Sequence, residues 1–244
     1  MKGVAAYHAA MDASREPRTR LRAGALLVGA LGAASIVCVA TVELRTRQTH
    51  DPSYRFLDWN LFLAWLPLLF AFAAWEASRR RVLPVTVGCG VLWLLFFPNA
   101  PYMLTDFIHL QESPSAPLWY DGLMLSSFAW TALLIGFSSL YLMQMIWQAR
   151  LGTAWAWGGV IAVLALACLG ISIGRFVGYN SWDALIHPRV IAHVLNTQVE
   201  NPIHDPRLAA SLLALTVGLT IAYAVFYGTT KLHRFARGSG PSRR

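Results

Sequence analysis

What most constrains this chain is a series of six apolar stretches, most of them 20 residues or longer, separated by short polar or basic segments. An α-helix needs about 20 apolar residues to cross the hydrocarbon core of a bilayer. Only 13% of the 244 residues are charged and 56% are hydrophobic, whereas a soluble domain carries about 25% charge. The expected fold is therefore all-α: a polytopic transmembrane helix bundle of about six spans. The spans fall at about Leu21–Val42, Asp58–Ser78, Val82–Phe97, Asp121–Gln148, Ala154–Phe176 and Leu208–Thr230. Residues 1–20 read as a basic tail, 21–230 as the membrane domain and 231–244 as a second basic tail. The run after Arg15, Arg18, Arg20 and Arg22 is long enough to span, so it reads as a retained first helix rather than a cleaved leader.

A formal charge of +8 could point to nucleic acid. The basic residues instead sit at the ends of apolar segments, where they set topology and meet anionic lipid headgroups. Of the 20 Lys and Arg, six (Arg45, Arg47, Arg55, Arg175, Arg189 and Arg207) fall on the side opposite the termini, leaving 14 on the terminal side. By the positive-inside rule both termini are expected to be cytoplasmic, as in a multi-pass membrane protein. Cys38, Cys89 and Cys168 lie inside apolar segments without a CxxC spacing, so they read as small hydrophobes in helix packing.

Two polar concentrations stand out against this background. The first follows the third span, in Phe97-Pro98-Asn99-Ala100-Pro101-Tyr102, with Thr105, Asp106 and His109 just beyond. Each proline lacks an N–H and clashes with the preceding turn, which predicts a Pro-broken third helix. At 1.5 Å per residue that helix is roughly 24 Å long, against a core of roughly 30 Å. The break therefore lies at or just inside the surface, where it needs protein cover or a wet cavity. Asp106 and His109 are three apart, on one face of any helix that resumes.

The second concentration is Gly174-Arg175-Phe176 with Asn180-Ser181-Trp182-Asp183. After it, Pro188 to Val199 reads as a short interfacial helix preceding the last span. The topology puts both concentrations, and Asp121, at the outer face. A guanidinium near the bilayer boundary wants a partner, so Arg175 is expected against Asp106, Asp121 or Asp183. Asn99 and Asn180 read as caps for freed carbonyls.

These stretches resemble a bacterial integral-membrane family, domain of unknown function 1361. The resemblance rests on Phe97 to Tyr102, Thr105-Asp106, His109-Leu110, Gly174-Arg175-Phe176 and Asn180 to Asp183, with Trp59-Asn60 and Leu63-Ala64-Trp65 in support. It covers roughly residues 55–230. Where members usually carry Arg-Trp before Asn-Ser-Trp-Asp, this chain has Gly178-Tyr179. The resemblance implies topology and site location and carries no activity.

The candidate ligand-binding residues are Asn99, Tyr102, Thr105, Asp106, His109, Asp121, Arg175, Asn180, Trp182 and Asp183. Asp106, His109, Asp121, Asp183 and His187 form no reinforced metal motif, so a metal site is not expected. Ser181 lies near Asp183 and His187 without a nucleophile elbow, so acyl transfer is unsupported. No cofactor is indicated and whether the chain is an enzyme is undecided by its residues. Three functions fit: a site at the outer face for a lipid-linked or small anionic ligand; a small-solute or ion transporter, against which stand the absence of mid-depth charge and of a repeat; and a non-catalytic assembly protein whose polar cluster is a structural clasp.

Overall fold

In a computed structural model, residues 2–110, 116–176 and 206–238 are described, and every described secondary-structure element is a helix. They are α1 (Lys2–Thr49), α2 (Phe56–Arg79), α3 (Leu83–Phe96), α4 (Asn99–Tyr102), a 3-10 turn (Met103–His109), α5 (Leu118–Leu151), α6 (Thr153–Phe176) and α7 (Pro206–Gly238). Among the described residues, six helical segments are long and apolar enough to cross a membrane. They are Gly24–Thr49, Phe56–Arg79, Leu83–His109, Leu118–Leu151, Thr153–Ser172 and Ala209–Lys231, so this is a multi-pass membrane protein. The expected interfacial helix at 188–199 lies outside the described residues.

The bundle is organised around α5. Its most apolar window is 72% buried, against 17% for α1 and 11% for α7, so the first and last spans form the rim. One core joins α3, α5, α6 and α7 through Trp93, Phe97, Phe137, Leu140, Leu164 and Tyr223. A second joins α1, α2, the 3-10 turn and α5 through Cys38, Leu57, Leu61, Met103, Leu125 and Phe128. Buried Trp93 donates its indole N–H to Ser139 at 3.1 Å, so the ring brings no orphan donor into the core. Gly152, at φ 87°, makes the turn between α5 and α6 in a conformation that glycine adopts without strain.

The sequence predicts a helix broken by its prolines; the structure does not confirm that break. Phe97 (φ −56°, ψ −39°), Pro98 (−58°, −23°), Tyr102 (−55°, −36°) and Met103 (−62°, −18°) all keep right-handed helical dihedrals. A proline fixes φ near the helical value, so its missing hydrogen bond costs continuity of the ladder more than direction. The ladder is repaired locally. Ala100 N donates to the Phe97 carbonyl at 3.1 Å, and the Asn99 side-chain amide donates to the Phe96 carbonyl at 2.8 Å. The chain then tightens into the 3-10 turn, and Leu83–His109 reads as one span of 27 residues. A second difference concerns the stretch after Val42. It reads in sequence as a loop with both charge signs, yet α1 runs on to Thr49 and carries Arg45 into the protein.

The proline segment lies close against its neighbours through glycine notches. A Cβ on Gly136 of α5 would meet the Ala100 Cβ at 2.7 Å, and one on Gly170 of α6 would meet Pro98 at 3.3 Å. Real Cβ contacts do not reach 2.7 Å, and the opposing atom is not the end of a flexible chain. Gly136→Ala is therefore expected to push α4 off α5, at a cost of about 1–3 kcal/mol typical of overpacking. A melting curve of the detergent-purified variant checks this; an unchanged midpoint would show that the contact has slack.

Candidate functional site

One buried and one partly buried arginine meet two buried aspartates where the ends of α1, α2, the 3-10 turn, α5 and α6 converge. Asp106 sits in the 3-10 turn at 1% exposure and Arg175 reaches it from the last turn of α6 at 13%. Arg175 Nη2 donates to Asp106 Oδ1 at 2.5 Å and to Thr105 Oγ1 at 2.7 Å. Its Nε donates to the same hydroxyl at 3.1 Å, and Thr105 passes its own proton to the Tyr102 carbonyl at 2.7 Å. The second carboxylate oxygen of Asp106 accepts from the Asn60 amide at 3.3 Å. The guanidinium also lies over the Tyr102 ring, 4.5 Å from its centroid, a stacking that favours arginine over lysine.

The nearby imidazole completes this half. Arg175 Nη1 lies 3.1 Å from His109 Nε2. A guanidinium has donors only, so a hydrogen bond between the two has Nε2 as its acceptor. His109 is exposed, and its ring packs edge-on against Phe56 at 5.0 Å. Arginine has five N–H hydrogens. Asp106, Thr105 and His109 take four of them, leaving one on Nη1 without a partner among the described residues.

Arg45 makes the second pair. It is 2% exposed and grips Asp121, 1% exposed, in a two-point arrangement: Nε to Oδ1 at 2.7 Å and Nη2 to Oδ2 at 3.1 Å. Its Nη1 donates to the Asp51 carboxylate at 3.2 Å. The Tyr54 ring lies beneath it at 4.4 Å. Tyr54 then joins the two halves, since its hydroxyl donates to the His109 carbonyl at 2.8 Å. Burial, then the charge of Asp121, pushes the Tyr54 phenol up from its usual range, so it remains a neutral donor. The Ser53 hydroxyl and amide, followed by Arg45, hold the Asp51 carboxyl below its usual range. The result is one connected path: Asp121, Arg45, Tyr54, His109, Arg175, Asp106, Asn60.

Of the ten candidates, Tyr102, Thr105, Asp106, His109 and Arg175 meet in one cluster. Of the carboxylates offered to Arg175, Asp106 contacts it, and Asp121 is the other one among the described residues. Asp121 belongs to the neighbouring cluster, held by an arginine that the sequence reading placed in a loop. Asn99 stays local, on the Phe96 carbonyl, in the carbonyl-satisfying role expected of it. Asn180, Trp182 and Asp183 lie outside the described residues. Sequence reasoning missed Arg45 and Tyr54 as members of the network and named Asn60 without placing it there.

Fold and site together define a six-span helical membrane protein with a buried Arg–Asp network at one end of the bundle. Residues 59–227 match the family described as Protein of unknown function (DUF1361), and the chain belongs to that family. No curated protein and no solved structure matches the chain.

Proposed function

We propose that the protein binds an anionic group, of a lipid-linked or small ligand, at the exposed edge formed by Arg175 and His109. The observation that carries this reading is a contrast between the two ion pairs. Arg45 is buried to 2%, and both oxygens of its aspartate are gripped by it. Arg175 is 13% exposed, keeps one N–H without an acceptor among the described residues and stands beside the exposed His109 imidazole. A partly exposed guanidinium already fixed in place by Thr105, Asp106 and Tyr102 suits a phosphate or carboxylate. The Arg45–Asp121 pair supports the clasp function in the same molecule: it ties α1 to α5 at a fully buried, two-point contact. A transporter is the weaker reading, because the buried charged residues among those described, Arg45, Asp106 and Asp121, all belong to this one end.

In this reading the network lies at the extracytoplasmic face of a bacterial plasma membrane with both termini cytoplasmic, supported by the 14 to 6 distribution of basic residues. Arg79, Arg80 and Arg81 then meet anionic headgroups on the other side.

The test is thermal stability of purified protein screened against phosphorylated metabolites and lipid-linked phosphates. A ligand that binds only the folded state adds about 2.7 kcal/mol at a hundredfold excess over its dissociation constant. Arg175→Lys keeps the charge and loses the planar fork. The expected outcome is a folded variant that has lost the ligand-induced shift. If no compound stabilises the wild type and the lysine variant melts with it, the edge is structural and the ligand reading falls.

A further inference from the structure

We infer that the anion received at this edge belongs to a membrane-embedded amphiphile rather than to a water-soluble solute; the inference rests on the anion-binding reading above and names its ligand class. The edge stands at the end of a spanning segment, since Leu83–His109 is apolar enough to cross and His109 is its last residue. The two residues before His109 turn apolar side chains outward: Phe107 is 38% exposed and Ile108 62%. On the other side, Phe56 touches the His109 ring. Trp59 and Phe62 follow Phe56 at three-residue steps, which places all three along one side of α2. Trp59 and Phe62 are 59% and 52% exposed, with ring centroids 5.3 Å apart.

An apolar track therefore leaves the imidazole and descends along the span by six residues, about 9 Å at 1.5 Å per residue. Access to Arg175 is constrained from the protein side as well. Tyr102 covers one face of its guanidinium, and Thr105 and Asp106 take Nε and Nη2. Among the described residues, what stays open is one hydrogen of Nη1, on the side of His109, where the track begins. A headgroup phosphate held there by Nη1 places its hydrocarbon chain against Phe56, Trp59 and Phe62. A freely dissolved anion gains the same donor and nothing from the track.

The experiment uses full-length protein in uncharged detergent and four probes: phosphatidate, the matching diacylglycerol, glycerol 3-phosphate and inorganic phosphate. Apparent dissociation constants are read from the shift in melting temperature. Phosphatidate is expected to bind at least about tenfold more tightly than glycerol 3-phosphate, because each buried methylene adds to affinity. Diacylglycerol is expected to give no shift. Arg175→Lys should weaken phosphatidate by about tenfold through loss of one well-placed hydrogen bond. Trp59→Ala with Phe62→Ala should weaken phosphatidate while leaving any response to inorganic phosphate unaltered. If glycerol 3-phosphate or inorganic phosphate matches phosphatidate, the amphiphile inference is overturned and the anion site stands. If diacylglycerol matches it, or the lysine variant responds like wild type, or no probe shifts the midpoint, the anion site is overturned too.

Discussion

Asp121→Asn is expected to lower stability by about 3 kcal/mol, the low end of what breaking a buried ion pair costs. The variant leaves the Arg45 guanidinium, 2% exposed, facing a neutral amide that can accept only one of its two hydrogen bonds. The low end is the right one because Asp51, 35% exposed, still faces Nη1 at 3.2 Å. Removing Asp51 by itself should therefore do less, since its own charge is mostly met by water and by Ser53. Three kcal/mol corresponds to roughly 6–12 °C in the melting midpoint of a domain this size. The double variant Arg45→Met, Asp121→Leu removes both charges and should recover most of the loss, because desolvation of the pair offsets much of its attraction. If the double variant is as unstable as Asp121→Asn, the energetic unit is larger than the pair and includes Tyr54.

Asp106→Ala is expected to cost more, about 3–5 kcal/mol. Its carboxylate is 1% exposed and is the only ionic partner Arg175 has among the described residues. The alanine also strands the Asn60 amide, which donates to it at 3.3 Å. Arg175→Ala should fall in the same range, by leaving the aspartate buried alone. The sum of the two single effects should exceed the double variant by 0.5–3 kcal/mol, the usual coupling of residues in one network. Strict additivity in that cycle would mean that Thr105 and His109 hold the arginine and the aspartate is incidental.

How far the sequence carries the argument differs between the two pairs. Arg175 could be read because it closes an apolar run, where a lone cation must find an anion, and Asp106 because it follows a proline pair that no lipid-facing span would tolerate uncovered. The expectation of a break there was too strong, since proline dihedrals are helical dihedrals and Asn99 supplies a substitute donor. Arg45 was legible in principle and missed. Leu31, Cys38, Val42 and Arg45 are all buried and are spaced seven, four and three apart, so the core face of α1 continues through the charged stretch. Mixed charges after Val42 masked that continuity, because a helix whose late turns bury an arginine is written with the same residues as a solvated loop. Tyr54 offered no periodic signal at all. It lies between α1 and α2, and only the folded chain brings its hydroxyl to the backbone of His109, 55 residues away.

The connectivity of the two pairs has a consequence for biogenesis. Arg45 waits 76 residues for Asp121, and Asp106 waits 69 residues for Arg175. The intervals interleave: residue 106 lies inside the first and residue 121 inside the second. As the chain emerges from a ribosome, α1 and α2 can enter the bilayer but α1 cannot seat its arginine until the start of α5 arrives. By then Asp106 is already exposed to the same interface, with its own partner still unsynthesised at the far end of α6. A nascent chain that stops after α5 thus holds one satisfied pair and one stranded carboxylate, and only completion of α6 closes both. Translation through α6 is the step at which a half-inserted intermediate becomes distinguishable, by charge alone, from a finished bundle.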